Sequence, residues 1–482
     1  MSEDESLERI TKEGIEMVYL PHEPKMKPTD PNKINWGRTI LISLSFFTVL
    51  LAWGYFNFKV PLLLDNIIPD NPFKDLIKGS ILAIDNLVAV ILQPYFGDLS
   101  DHTKSKFGRR MPFIIIGTTA SAVFFIMIPW MQVLAALVLI IFLFDLAMSI
   151  YRSASIAILP DYTSERMYSK GSAIQQFIAN LGGLLGFIIP IIVGAIPGLT
   201  GIWFDALGFI IVAILMILLV IIQVLLVRET PTGDKFFKIT KNKLELETET
   251  FRALESVDPP IETASEKQKF GAYRRAVGIV RTHKDFALFI GTVFFIYLAF
   301  ASVEAFFSSF AVEFIGISEG LAATLFIAYS GPMIATAYIV GLLGQSKRIG
   351  RKKAVIIYLV WLLGSVCVMA FIVVPFVYQN AMLIILFIML ALTSIPWMGF
   401  IVNSFPILWS LAPEAKTGIY TGVYYTFNQL AYTLAPIIFG GLLSIFGFWG
   451  SFRYIIMFPF ILICIIIAML FFIRIKGGEA SK

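Results

Sequence analysis

The sequence predicts an all-α membrane protein with twelve transmembrane helices arranged as two six-helix halves. Three observations predict it: a hydrophobic share of 57% against 15% charged residues, apolar runs of membrane-spanning length, and a motif spacing that occurs twice. A soluble domain of this length would need a larger share of charged residues on its surface. Lipid is therefore the expected solvent.

The apolar runs are long enough to cross a bilayer as helices. A helix needs about 20 apolar residues for this, whereas the strands of a membrane barrel alternate apolar and polar residues, which these runs do not. The predicted spans are 36–61, 76–99, 111–130, 133–159, 171–196, 202–227, 286–313, 319–343, 354–377, 381–411, 418–446 and 450–474.

Polar segments divide the chain around these spans. The linker between the halves has mixed charges and too little apolar surface to fold strongly alone. Lysines and arginines concentrate in the breaks after spans two, four and eight, which places these breaks and both termini in the cytoplasm of a cell-membrane protein. The predicted parts are an N-terminal tail 1–35, a first half 36–227, a linker 228–285, a second half 286–474 and a C-terminal tail 475–482.

Matching motifs indicate that the six-helix unit is duplicated. Each half carries a glycine-containing break after its second span, followed by a glycine and two basic residues. The two copies are Gly97 with Gly108-Arg109-Arg110, and Gly341 with Gly350-Arg351-Lys352. Two similar halves around an axis along the membrane normal place a solute path between them.

The break after span two carries a resemblance to a known family. Gly97-x-x-x-Asp101 followed by Gly108-Arg109-Arg110 resembles the signature between helices two and three of the major facilitator superfamily. The wider run 92–114, with Asp145-Leu146-Ala147 in span four, is similar to the sucrose/proton symporter branch. The resemblance implies the major facilitator fold and sugar transport, with Asp145 in proton coupling and sugar binding.

The same break is expected to act as a gating loop. Glycine permits sharp turns, a carboxylate can meet a helix N-terminus, and arginines can hold phosphate head groups or a neighbouring carboxylate. The simpler alternative is a basic loop that only sets topology. The expected gating residues are Gly97, Asp101, Gly108, Arg109 and Arg110.

Four charged residues inside the predicted spans are candidates for function: Asp85, Asp145, Arg152 and Glu304. A charge at the bilayer centre costs about 2.5–3.5 kcal/mol even on a lenient scale, so each needs a partner or an aqueous cavity. Arg152 lies two turns after Asp145 on nearly the same helix face, which predicts an electrostatic pair. Asp145, Arg152 and Asp85 are the expected proton-coupling residues. The alternatives are a static ion pair and, for Asp85, pairing with Lys78, while Lys59 is expected to extend to the membrane surface.

Polar and aromatic residues on single helix faces are further candidates to bind the solute, together with Asp145, Arg152 and Glu304. Amides and carboxylates bind hydroxyl groups, and aromatic rings cover the apolar faces of sugars. The alternative for each is ordinary helix packing, at about 0.6 kcal/mol per contact. The uncharged candidates are Trp53, Asn57, Gln176, Asn180, Tyr425 and Asn428.

Several other functions are disfavoured by what the sequence lacks. The absence of any Gly-Lys dipeptide removes the phosphate-loop motif of nucleotide-driven transport. All three histidines, His22, His102 and His283, fall in predicted tails or loops, which argues against a haem or a histidine-based metal centre. The basic residues lie where they set topology. We therefore expect no cofactor, no metal and no nucleic-acid partner.

The function expected from these points is proton-coupled symport of a sugar, a disaccharide or a glucoside, by alternating access. The glycoside-pentoside-hexuronide:cation symporters, a more distant resemblance, typically carry acidic residues near the proline of helix two. This chain has Gln93 and Ala89 around Pro94, which favours protons over sodium. A sodium-coupled glycoside symporter is the alternative within transport, and a membrane enzyme or a sensor with a transporter fold is the alternative outside it. We expect a monomer whose partners are the sugar, the proton and the lipid bilayer.

Overall fold

The computed structural model describes residues 34–103, 105, 107–163, 168–227, 283–345, 349–377, 380–412 and 417–477. This part of the chain is nearly all helical and contains no strand. Most of the predicted tail 1–35 and linker 228–285, and residues 478–482, lie outside the described residues. The predicted boundaries of tails, halves and linker stay predictions.

Twelve helices, α1 to α12, follow the twelve predicted spans within the described ranges, and a short helix, Trp36–Ile42, precedes α1. Their ranges are α1 Leu44–Ile67, α2 Lys74–Leu82 with Ile84–Asp101, α3 Met111–Met127, α4 Leu134–Tyr162, α5 Tyr168–Gly194, α6 Ile202–Leu226, α7 Lys284–Ser309, α8 Glu319–Gln345, α9 Gly350–Val368, α10 Asn380–Leu411, α11 Thr417–Ile445 and α12 Met457–Ile473. A π-helical turn, Phe310–Phe314, extends α7, and the turns Met369–Val373 and Val374–Phe376 extend α9.

The second span is the least regular of the twelve. Eleven helices among the described residues are each long and apolar enough to cross a membrane, and neither segment of α2 is among them. Ala83 between them keeps right-handed helical dihedrals, and its N–H donates to the Gly79 carbonyl at 3.0 Å. The predicted span 76–99 is therefore one span with a local irregularity.

Two helix ends differ from the sequence prediction. The first span was expected to end at residue 61, but Pro61 lies inside α1, which continues to Ile67. Membrane helices tolerate proline because neighbouring groups satisfy the freed carbonyl. The last helix begins only at Met457, after a 3-10 segment, Gly447–Ile456. The extension of α1 brings one further charged residue, Asp65, into the helical bundle.

The helices pack in the same order in both halves. In the first half α1 packs on α5, α2 on α4, and α3 on α4 and α6; in the second half α7 packs on α11, α8 on α10, and α9 on α10 and α12. Gly108 before α3 and Gly350 at the start of α9 have φ angles of 90° and 74°, a region that glycine occupies without strain. The packing and the turns agree with the predicted duplication.

The two halves meet closely at one end, where α2 contacts α11. A Cβ atom on Gly79 would lie 1.9 Å from the Pro436 carbonyl oxygen, and one on Gly440 would lie 2.3 Å from the Asp75 carbonyl oxygen. Only glycine allows this approach of two backbones. We call this end the closed end. The end that carries Arg109 and Arg110, about 40 Å away along α2, is called the loop end.

Candidate functional site

A cavity of about 270 Å³ lies between the two halves. Residues of α1 and α5 line it from the first half, and residues of α7, α8, α9, α10 and α12 line it from the second. Four of the predicted binding residues lie in this lining: Trp53, Asn57, Asn180 and Glu304. The volume is close to the lower end of the range of small-molecule sites, about 300–1,000 Å³. A small solute fits between the halves.

A hydrogen bond between the halves forms the polar centre of the cavity. The Asn57 Nδ2 atom in α1 donates to Glu304 Oε1 in α7 at 2.7 Å, and both side chains are half-buried. Trp53 lies one helical turn before Asn57, and the Trp397 ring on the opposite wall stacks on Phe300 with centroids 4.4 Å apart. The cavity thus combines an amide, a carboxylate and aromatic faces.

Asp85 in α2 connects the other charged residues of the membrane region. Its charge interacts electrostatically with Arg152, Asp145 and Glu304. The suggested alternative partner, Lys78, is instead bound to Asp65, so that alternative is wrong. The three carboxyl groups and the arginine form one electrostatically coupled group, which extends from the first half to the cavity.

Asn86 continues this group to the second half. The Asn86 backbone N–H and side-chain amide both lie 2.5 Å from Asp85 Oδ1, and Asn86 Oδ1 accepts a hydrogen bond from Gln429 Nε2 in α11 at 2.6 Å. A carboxylate of the first half is thereby linked through one amide to the second half. A relative movement of α2 and α11 would change its surroundings.

Asp145 is buried without a hydrogen-bond partner. Its side chain is 2% exposed, and neither carboxylate oxygen has a hydrogen-bond partner within the described chain. The predicted pairing with Arg152 is not formed: two helical turns separate the two residues by about 10 Å along the axis, and Arg152 interacts with Asp85 across the α2–α4 contact instead. Matching helix faces alone do not bring two side chains into contact.

Several predicted binding residues lie away from the cavity lining. Gln176 is exposed and donates to Asn180 Oδ1 at 3.1 Å, and Tyr425 is 56% exposed. Asn428 is half-buried on α11. Asp85, Asp145 and Arg152 also fall outside the lining.

Seven aromatic residues of the cavity lining were missed by the sequence reasoning. They are Phe187, Phe300, Phe307, Phe326, Tyr329, Trp397 and Phe458. They lie inside apolar runs, where nothing in a single sequence separates an aromatic residue that faces a cavity from one that faces lipid.

The predicted gating loop is anchored to the end of α4. The Arg109 Nε and Arg110 Nε atoms each donate to Asp161 Oδ2, at 3.1 and 3.0 Å. Arg110 is buried and also bonds Ser100 Oγ at 2.5 Å and pairs with Asp101. The loop therefore ties α2, α3 and α4 of the first half together.

The turn glycines of this loop differ in their surroundings. Gly108 supplies the positive φ that lets α3 begin, whereas a Cβ on Gly97 would lie 3.9 Å from the Ser153 Cβ, an ordinary contact. Gly108 is thus needed for its backbone and Gly97 has no such requirement.

Lys59 connects the halves at the closed end. Its side chain is 2% exposed, and its ammonium nitrogen lies 2.7 Å from Asp205 Oδ1 in α6 and 2.5 Å from Glu319 Oε2 in α8. The expectation that Lys59 extends to the membrane surface is therefore wrong, because two carboxylates compensate its charge inside the bundle. The Glu319 bond crosses between the halves, and the Asp205 bond lies within the first half.

A second buried lysine has a similar arrangement. Lys78 in α2 is fully buried and binds Asp65 Oδ1 at 2.6 Å and Ser309 Oγ at 2.9 Å, while Ser309 donates to Asp65 Oδ2 at 2.5 Å. Ser309 belongs to α7 of the second half. Every strong polar atom of this cluster has a partner, which is the condition for burying a charge without a large penalty.

An arginine completes the polar contacts of the closed end. Arg453, just before α12, lies 2.7 Å from Asp75 Oδ2 in α2 and 3.2 Å from Glu313 Oε2. Three cations therefore join the halves here through charge-assisted hydrogen bonds.

Two duplicated six-helix halves around a small-solute cavity, joined by ion pairs at one end, define a membrane transporter. The sequence profile described as the Major Facilitator Superfamily matches residues 42–407 and 289–482. The chain belongs to the Major Facilitator Superfamily, and it is a multi-pass membrane transporter rather than an enzyme. The predicted superfamily and its twelve-helix fold are confirmed.

The lactose permease of Lactobacillus helveticus is a similar protein, 25% identical over 175 residues. The match covers 34% of this chain and 26% of the permease, so it spans about a quarter of that protein's length.

Solved transporter structures resemble the chain over most of its length. A bacterial homologue of the human lysosomal transporter Spinster, inward-facing and unoccupied, has a TM-score of 0.65 at 13% identity. The match covers 93% of this chain and 99% of that structure's chain. A mutant of the nucleoside transporter NupG has a TM-score of 0.69 at 12% identity. The match covers 91% of this chain and 100% of that structure's chain. At these identities the likeness shows the fold alone.

Proposed function

We propose that the protein is a proton-coupled symporter for a disaccharide or a glucoside that works by alternating access. The observation that carries this proposal is the Asn57–Glu304 hydrogen bond in a cavity flanked by the aromatic rings of Trp53 and Trp397. An amide, a carboxylate and ring faces are the groups that recognise a hydroxyl-rich ring compound. The local similarity to a lactose permease supports the same substrate class.

The sugar binds at the contact between the halves. A sugar hydroxyl can donate to the Glu304 carboxylate while another accepts from the Asn57 amide, which replaces their direct bond by two bonds to the ligand. Asn180 on α5 and Trp53 complete the sugar side of the cavity. Because Asp145 lies outside the lining, Glu304 takes the sugar-binding role that the sequence suggested for Asp145.

Asp145 carries the coupling proton in this proposal. An ionised carboxylate without a partner is far more costly in an apolar interior than a neutral acid, and Asp145 is buried with both oxygens unpartnered within the described chain. Asp85 and Arg152 set the local charge, since Asp85 interacts electrostatically with both Asp145 and Arg152. Movement of the halves changes access to Asp145 and so couples the proton to the sugar.

The loop end faces the cytoplasm and the closed end faces outward in the proposed orientation. The basic residues Arg109 and Arg110 at the loop end support it through the positive-inside rule. Both termini are then cytoplasmic, and the protein works as a monomer in the cell membrane.

The test compares wild-type protein with the variant Asp145→Asn in proteoliposomes. Asn keeps the shape of the side chain but cannot bind and release a proton. We expect exchange of labelled for unlabelled glucoside to persist in Asp145→Asn, while accumulation driven by an inward proton gradient disappears. The matched control is Asp70→Asn: Asp70 is 96% exposed outside the spans.

Three outcomes would contradict the proposal. They are unchanged proton-driven accumulation by Asp145→Asn, accumulation by the wild-type protein that follows a sodium gradient instead, and no transport of any sugar by the wild-type protein.

A further inference from the structure

The cavity extends past its polar centre into the interior of the second half. Its lining there is apolar and comes from three helices of the second half. These residues are Leu362 and Val366 of α9, Leu386 and Leu390 of α10, and Ile461 and Ile465 of α12. Their side chains are at most 9% exposed and belong to the hydrophobic core of the second half. We call this region the apolar arm.

The arm and the polar centre are formed by different helices. The lining face of this helix runs from Leu386 through Leu390 and Thr393 to Trp397, about 16 Å along the axis. The polar groups Asn57 and Glu304 lie in the same cavity but on α1 and α7. One end of a bound molecule therefore meets hydrogen-bonding groups and the other end meets only hydrocarbon.

The interior of the first half contains a packed aromatic cluster: Phe56 stacks on Phe144 at 5.4 Å, Phe125 lies 5.0 Å from Phe144, and Phe209 lies 4.8 Å from Phe125. The cavity leaves part of the second half's interior open along the apolar arm. An apolar cavity of this kind does not hold water well and favours an apolar ligand group.

We infer that the transported substrate is a glycoside with an apolar aglycone, whose sugar ring lies at Asn57 and Glu304 and whose aglycone occupies the apolar arm. This inference rests on the proposed function and narrows its substrate class. The total volume of about 270 Å³ matches one sugar ring with a small alkyl or aryl group better than a longer oligosaccharide.

The test measures competition against uptake of labelled methyl glucoside by proteoliposomes. The competitors are methyl, propyl and phenyl glucosides of one anomeric series. Each methylene that enters the arm is expected to raise the affinity about fourfold, so propyl glucoside should bind more than tenfold better than methyl glucoside.

Two substitutions on α10 locate the effect. Leu390→Trp fills the arm and is expected to reduce the ratio of phenyl to methyl glucoside affinity at least tenfold. Ile388→Trp is the matched control, since Ile388 is 53% exposed on the lipid side of the same helix, and it should leave that ratio unchanged. If Leu390→Trp does not fold, Val366→Phe tests the same space from α9.

Failure of this inference differs from failure of the proposed function. Uptake of methyl glucoside with equal affinity for all three competitors, or an equal ratio in the Leu390→Trp and Ile388→Trp proteins, overturns the apolar arm as an aglycone site and leaves sugar transport intact. Absence of proton-driven uptake of any glucoside overturns the proposed function itself.

Discussion

The two carboxylates on Lys59 offer a test of how the closed end is held together. Glu319 and Asp205 bind the same ammonium group at 2.5 and 2.7 Å, but only Glu319 belongs to the other half. Glu319→Gln therefore removes a charge pair that exists only when the halves are together. Asp205→Asn removes a pair within the first half, which persists when the halves separate. The two variants make the same chemical change, but only Glu319→Gln removes a bond between the halves.

The expected size follows from the burial of the pair. A hydrogen bond to a charged group contributes about 1.5–3 kcal/mol, and Glu319 retains 22% exposure, so the lower part of this range applies. A loss of about 1.5 kcal/mol from the closed conformation alone raises the population that is open at this end about tenfold. Asp205→Asn lowers the stability of both conformations and should change their ratio less than twofold.

The assay is the alkylation rate of a single cysteine at the closed end. Ser444→Cys places a thiol of similar size where the Ser444 Oγ accepts the Leu76 N–H across the halves at 2.9 Å. The two native free cysteines, Cys367 and Cys464, are first replaced by alanine. A membrane-impermeant maleimide then reports how often this contact opens.

The result expected is a labelling rate about tenfold higher for Glu319→Gln and nearly unchanged for Asp205→Asn. Equal rates in the two variants, or a larger effect of Asp205→Asn, would refute the reasoning that Glu319 links the halves.

Three further substitutions test other contacts. Asn57→Ala removes the amide donor of the cavity, and glucoside affinity measured by competition should fall about tenfold or more. A gain or no change would remove Asn57 from the site. Gly79→Ala places a Cβ 1.9 Å from a backbone oxygen of the other half, so the variant should insert normally into the membrane but lose transport. Gly364→Ala is the control and should retain transport, because a Cβ at Gly364 would have no neighbouring atom within 4 Å. Equal transport by both would contradict the close packing. Asp161→Asn removes the acceptor of two arginines and should lower the thermal unfolding temperature more than Asp101→Asn, because Asp101 is half-exposed. A larger decrease for Asp101→Asn would contradict the buried pairing at Asp161.

The fold was predictable because its signals are local and repeated. The length of an apolar run identifies a membrane helix. Gly108 and Gly350 stand at equivalent positions near the start of the third helix of each half, and both have a positive φ. The limits of this approach appear where the chain is irregular. The first span was predicted to end at residue 61, yet α1 continues through Pro61 to Ile67.

The pairing of charged residues was much less predictable. Lys59 was expected at the membrane surface and Asp145 beside Arg152, but the interactions come from other helices: Glu319 of α8 binds Lys59, and the charge of Asp85 on α2 acts on Arg152. Helix periodicity gives the face on which a residue lies, and it carries no information about which face of another helix lies opposite.

Candidate binding residues were found where the polarity was unusual and missed where it was not. Asn57 and Glu304 are conspicuous in apolar spans and do line the cavity. Trp397 and the leucines of the apolar arm also line it, but they are of the same residue types as lipid-facing residues. The shape of the second half's interior is a property of packing and follows from no single residue.

The central claim is that proton movement drives sugar transport through the cavity between the halves, and simultaneous measurement of both fluxes tests it most directly. Purified protein in vesicles with an internal pH-sensitive dye would be supplied with labelled phenyl glucoside in sodium-free buffer. We predict inward proton movement that starts with sugar addition, in a constant ratio to sugar uptake, and loss of the proton movement in Asp145→Asn. Sugar uptake without proton movement, or uptake that requires sodium, would contradict the account.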